Sequence, residues 1–230
     1  MPDPGSHAEL LRSLGRLVRG LSALFWGLPI TLIVCFYTAA KVEMVKPLGI
    51  GPPLLMIGLL AFGLWQLGDF QKQERVWRAA LDRARVLNMV NFFLSPYLYW
   101  WHKVPANTFF FVMVIVMAFS ALLFLGSLNL VLRRLGAMLP DEALRLETKQ
   151  FTALNINLLF ATFLVALAYL AVAQVHTLPR WLGLVVGLLD RGSLWFLILL
   201  VLLPLAMTMA LLWKTKEVIL DNVFGASRSG

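Results

Sequence analysis

Three groups of side chains in this sequence could do chemistry. The first is His102 and His176 with Asp190. Two imidazoles at one boundary could seat a metal or haem, and with the carboxylate nearby could supply the base of a lipid-acting enzyme. Two histidines without a third ligand read first as interfacial side chains, with an apolar body and a wet tip. The sequence contains no His-Glu-x-x-His, no Gly-x-Gly-x-x-Gly and no phosphate-binding loop. No catalytic residue, metal or cofactor is therefore assigned. The single cysteine, Cys35, lies in an apolar run and supports neither a disulfide framework nor a thiolate cluster.

The second group is uncharged and polar: Asn88, Asn91, Ser95, Asn155 and Asn157. Asn88, Asn91, Ser95 and Tyr99 recur at spacings of three, four and four, which puts them on one helix face. Thr152, Asn155 and Thr162 fall close to a single face of a later segment. In lipid such groups tie helices together, each hydrogen bond giving about 0.6 kcal/mol. The alternative is that the asparagines line a small polar cavity for an uncharged solute. The third group is Lys72, Arg75, Arg78, Arg83 and Arg85, a basic run in which Glu74 and Arg78 are also spaced i, i+4. It is either a solvated stalk or a contact for anionic lipid.

The elements that must position these groups are apolar. Hydrophobic residues make up 60% of the 230 and charged residues 14%, against about 45–50% and about 25% in an ordinary soluble domain. A soluble fold of this length could not hide so much apolar surface, so lipid is the expected solvent. The net charge of +8 does not point to nucleic acid, because the basic residues sit between apolar runs rather than on a recognisable module.

Five runs each reach the about 20 residues that a bilayer core requires: 20–40, 48–68, 108–132, 151–175 and 193–213. The run after Arg12, Arg16 and Arg19 is too long for a signal peptide and is taken as a retained first span. Residues 86–101 are shorter and carry Asn88, Asn91, Ser95 and Pro96. Charge decides between five spans, with this segment interfacial, and six. Without the crossing, the Lys and Arg residues divide eleven against nine. With it, fifteen lie on the inner side, and only Lys41, Lys46, Lys103, Arg180 and Arg191 lie on the other. That asymmetry is what short loops of a membrane protein show.

The expected architecture is thus an all-α polytopic bundle of six spans with short cytoplasmic helices. Residues 1–19 form a cytoplasmic tail, 20–213 a single transmembrane domain and 214–230 a second cytoplasmic tail, in a cell membrane (the inner membrane, if bacterial) with both termini cytoplasmic. Residues 69–85 are expected to continue the second span as a charged helix. Residues 133–150 should hold a short helix running into the fifth span, and 176–192 an interfacial or re-entrant piece.

Carboxylates fall at span ends or in loops, which argues against a proton-coupled pump, a voltage sensor or an ion-coupled carrier. The expected role is a non-catalytic subunit or scaffold of a membrane complex. Its expected partners are membrane lipids and a protein partner, or a second copy, within the membrane; nucleic acid is not among them. The alternatives are a channel or carrier for a small uncharged solute, and a lipid-acting enzyme built on His102, His176 and Asp190.

Overall fold

A computed structural model describes residues 4–40, 49–70, 74–138, 142–173 and 180–224. Its elements are α1 (Pro4–Ala39), α2 (Gly51–Leu67), α3 (Arg75–Leu94), α4 (Pro96–Lys103), α5 (Thr108–Met138), α6 (Glu142–Ala173) and α7 (Arg180–Phe224). Every described element is helical. Among the described residues four helical stretches are long and apolar enough to cross a membrane: Arg12–Ala39, Thr108–Met138, Arg145–Ala168 and Leu199–Asp221. Gly51–Leu67 is apolar but shorter, about 25 Å at 1.5 Å per residue.

The boundaries follow local chemistry. Pro52 and Pro53 sit in the first turn of α2, where a missing N–H costs nothing. The Asn107 side chain accepts a hydrogen bond from the Phe109 amide at 2.9 Å and so caps the start of α5. Pro96 does not break the chain's direction. Ser95 keeps helical angles (φ −60°, ψ −32°), its amide donates to the Asn91 carbonyl at 2.9 Å, and its hydroxyl donates to the Phe92 carbonyl at 2.9 Å. Together α3 and α4, of 20 and 8 residues, reach about 40 Å.

Neighbouring helices run antiparallel, and specific contacts fix each register. Between α1 and α2 the closest approach is at Gly20 and Gly63, where a Cβ on Gly20 would stand 2.8 Å from the Gly63 carbonyl oxygen. Seven residues on, Gly27 faces Leu60. The α2–α3 pair is joined by Arg85 to the Leu64 carbonyl and Asn88 to the Ile57 carbonyl. The α4–α5 turn is packed by Tyr97, Trp100, Phe109 and Phe110, with Trp101 against Phe111. Between α5 and α6 the contacts step from Gly136–Thr148 to Phe119–Phe163. Between α6 and α7 they step from the Glu147–Lys214 ion pair through Asn155–Thr208 to Thr162–Leu200.

Two features differ from the sequence expectation. The charged stretch does not prolong α2, which ends at Gly68 in a turn through Asp69 and Phe70; Arg75 to Arg85 instead begin α3. Trp77 anchors this start, fully buried and donating its indole N–H to the Phe70 carbonyl at 3.1 Å. The described part of 176–192 is not a separate re-entrant piece, since residues 180–192 open one continuous helix ending at Phe224. The short helix expected before the fifth span does run straight into it, as the start of α6.

The main core joins α1, α2, α3, α5, α6 and α7 through Leu17, Leu21, Leu64, Trp77, Leu128, Leu132 and Leu212, all fully buried, with Leu159 of α6 among them. A second, smaller core of Ile57, Leu98 and Met117 lies toward the α4 end. The periphery carries large apolar side chains instead of charges: Trp26, Phe36, Leu55, Phe93, Leu154 and Phe160 are all exposed. An exterior of this kind suits hydrocarbon, not water.

Candidate functional site

Buried polar side chains gather in two places. In the first, α5, α6 and α7 meet at the Thr208 hydroxyl. It accepts hydrogen bonds from Asn129 Nδ2 and Asn155 Nδ2, both at 2.9 Å, and donates to the Pro204 carbonyl at 2.8 Å. Asn129 Nδ2 also donates to the Leu125 carbonyl at 2.8 Å, and Asn155 Nδ2 to the Pro204 carbonyl at 3.2 Å. The three side chains are almost wholly inaccessible. An unpaired amide in such a place costs roughly 1–3 kcal/mol, so the network pins three helices in one register.

A second joint lies two turns away. Pro204 has no N–H, which leaves the Leu200 carbonyl without its helical donor. The Thr162 hydroxyl of α6 stands 3.2 Å from that oxygen and 2.8 Å from its own Leu158 carbonyl. Of the expected face, which continues through Ala166, Tyr169 and Ala173, Thr152, Asn155 and Thr162 are buried and Ala166 is half-buried; the side chains of Tyr169 and Ala173 lie outside the described residues.

The other polar group sits on α3. Asn88, Asn91 and Ser95 are all buried, as their spacing predicts. Asn88 Nδ2 donates to the Ile57 carbonyl of α2 at 3.3 Å. The Oδ1 atoms of Asn88 and Asn91 and the Ser120 hydroxyl are buried with no hydrogen-bond partner. The asparagines named together from the sequence thus serve different neighbours: Asn88 turns to α2 and Asn155 to α7. Asn157 is exposed on α6 and belongs to neither cluster, because it is two residues from Asn155 and so faces away from it.

Sequence reasoning missed Asn129 and Thr208, which carry the tightest network. The available signal was Asn129 itself, a carboxamide in the apolar run of 108–132.

At the α4 end His102 is half-buried, and its Nδ1 has no hydrogen-bond partner. His176 and the side chain of Asp190 lie outside the described residues. Among the described residues no three His, Cys, Asp or Glu side chains gather as a metal would require. Lys103 lies 5.6 Å from the centre of the Tyr99 ring.

The opposite end of the bundle is basic. Arg12, Arg16 and Arg19 of α1, Arg75, Arg78, Arg83 and Arg85 of α3, Arg133 and Arg134 of α5, Arg145 and Lys149 of α6, and Lys214 and Lys216 of α7 all belong to it by register. Lys72 lies outside the described residues. Arg16 pairs with Asp69, and Lys214 with Glu147. Arg75, Arg78 and Arg83 are exposed. Arg85 is half-buried and donates from Nη2 to the Leu64 carbonyl at 3.2 Å, satisfying one of the carbonyls that the end of α2 leaves open.

The chain matches no family model, no curated protein and no solved structure.

Proposed function

We propose that this chain crosses a cell membrane six times, with both termini in the cytoplasm, and acts as a non-catalytic subunit or scaffold that holds a partner protein, or a second copy, in the membrane. Two features support the crossings. The α3–α4 leg runs antiparallel to both neighbours, and the basic residues of five helices share the end at which α1 starts and α7 finishes. Residues 86–101 then thread the bilayer instead of lying on it, and the aromatic cluster of Tyr97, Trp100, Phe109 and Phe110 forms an outer belt.

The observation that carries the scaffold reading is the Asn129–Thr208–Asn155 network. Both Nδ2 groups bond to α7, which stiffens a platform and leaves no free amide donor there for a solute, while Asn155 Oδ1 has no partner. The test is crosslinking and native gel analysis of the protein extracted in mild detergent. Discrete species heavier than the monomer are expected; a lone monomer under all extraction conditions removes the main support.

A second reading, a channel or carrier for a small uncharged solute, is favoured by the unpaired Asn88 Oδ1, Asn91 Oδ1 and Ser120 Oγ. Solute flux in proteoliposomes that is unchanged by Asn88→Leu and Asn91→Leu would count decisively against it.

A further inference from the structure

Where α2 ends against α3, Gly68, Arg78, Leu81, Asp82 and Arg85 line an open cavity of about 200 Å³. Three of its features point to one kind of ligand. Arg85 is held in place at both terminal nitrogens: Nη1 donates to Asp82 Oδ1 and Nη2 to the Leu64 carbonyl, each at 3.2 Å. Its third nitrogen, Nε, is buried and has no acceptor. A cationic donor left so is costly and calls for an anionic oxygen.

Gly68 makes this placement possible, because a Cβ there would collide with the Arg85 guanidinium. Arg78 reaches the same cavity from two turns earlier on the α3 face that carries Arg85. The charged wall is two guanidinium groups and one carboxylate, a net positive site. Arg16 and Asp69 beside it already neutralise each other.

The anion best matched to paired guanidinium groups is a phosphate, whose tetrahedral oxygens can accept from Arg85 Nε and from a second arginine at once. At the basic end of a bundle bathed in lipid, the phosphate within reach is that of a headgroup. We propose that this cavity seats the phosphate of an anionic phospholipid, held by Arg78 and Arg85. The proposal rests on the membrane placement given above. Arg75 and Arg83, exposed on the same helix, do not line the cavity.

The test is native mass spectrometry of the detergent-purified chain titrated with phosphatidic acid, phosphatidylcholine and inorganic phosphate. Phosphatidic acid should be retained in preference to phosphatidylcholine. Arg78→Gln should weaken that retention about tenfold, the loss of one charge-assisted contact of about 1.5 kcal/mol. Gly68→Ala should do the same by displacing the Arg85 guanidinium without altering any charge. Arg83→Gln removes an equal charge outside the cavity and should leave retention unchanged.

Equal losses for Arg78→Gln and Arg83→Gln, or equal retention of the two lipids, would overturn the site. Displacement of the lipid by inorganic phosphate at comparable concentration would overturn the headgroup assignment. Because Arg78 is exposed, its variant is readable even if Gly68→Ala fails to fold. Failure of the membrane placement has its own signature, a chain that stays monodisperse after all detergent is removed.

Discussion

The Thr162 hydroxyl lies 3.2 Å from the Leu200 carbonyl, the very acceptor that Pro204 strips of its amide donor. A proline inside an apolar helix is tolerable when a neighbouring helix supplies the missing hydrogen bond, and here α6 supplies it to α7. The pair therefore explains why Pro204 can sit inside a 45-residue helix.

Thr162→Val should destabilise the bundle by about 0.6 kcal/mol and by no more than about 1.7 kcal/mol, the average and the maximum for side-chain hydrogen bonds between membrane helices. In a Pro204→Ala background, where residue 204 regains an N–H for Leu200, the same substitution should cost measurably less. Unfolding by a denaturing detergent, followed by circular dichroism, reads both values. Equal costs in the two backgrounds would show that the Thr162 hydroxyl serves only Leu158.

Thr208 is the shared acceptor of two amides, so its loss should be felt on two helices at once. Thr208→Val is expected to cost about 1–2 kcal/mol, because Asn129 and Asn155 each keep one further partner. Thr208→Ser keeps the oxygen and should recover most of that loss. In a double-mutant cycle, Asn155→Leu and Thr208→Val should sum to less than their separate effects, with a coupling of about 0.6 kcal/mol or more. Strict additivity would mean that the 2.9 Å contact adds nothing.

How far the sequence reaches is clear from these same residues. The 3, 4 spacing of Asn88, Asn91 and Ser95 and the face of Thr152, Asn155 and Thr162 announced their burial, because helical periodicity fixes which side chains share a side. Periodicity within one helix says nothing about its partner. Whether Asn155 meets Asn88 or Thr208 depends on the register between segments far apart in the chain, and that register is set by packing at places such as Gly136 and Thr148. The charged run at 75–85 carried no sign of which apolar helix it extends; the Gly68 turn and the Trp77 anchor decide that in space. Residues 176–192 are too short to span and suggest a separate interfacial piece, yet α7 runs from Arg180 through Gly183, Gly187 and Gly192 to Phe224. Glycine weakens a helix by only about 1 kcal/mol, and context overrides it.

Gly63 offers a prediction about the tightest helix pair. A methyl group added there would stand 2.9 Å from Leu24 Cγ and 3.1 Å from the Gly20 carbonyl oxygen, and the latter is backbone that cannot swing aside. Gly63→Ala should therefore force α1 and α2 apart and lower stability by about 1–3 kcal/mol, the usual cost of overpacking. Gly58, on the same helix, has nothing within 4 Å of the corresponding position. Gly58→Ala should leave thermal stability in detergent unchanged or slightly raised. If both alanines behave alike, the Gly20–Gly63 approach does not set the α1–α2 distance.

The sidedness of the proposed six crossings turns on two residues at opposite ends of the hairpin made by α4 and α5. Lys103 closes α4 beside the aromatic cluster, and Arg134 lies in the last turns of α5, where Leu132 and Leu135 pack into the main core. With α5 running the full thickness of the bundle between them, single cysteines at 103 and 134 should face opposite compartments. In a Cys35→Ala background, a membrane-impermeant maleimide applied to intact cells should label Lys103→Cys and spare Arg134→Cys, and inverted vesicles should give the reverse. α5 is itself long and apolar enough to cross, so labelling of both from one face would require it to lie outside the bilayer. Labelling of Lys103→Cys from the inside and Arg134→Cys from the outside would instead mean that α3 and α4 do not cross. The basic ends of α1 and α3 would then share a compartment with Lys103, and the charge asymmetry that favours six crossings would be lost.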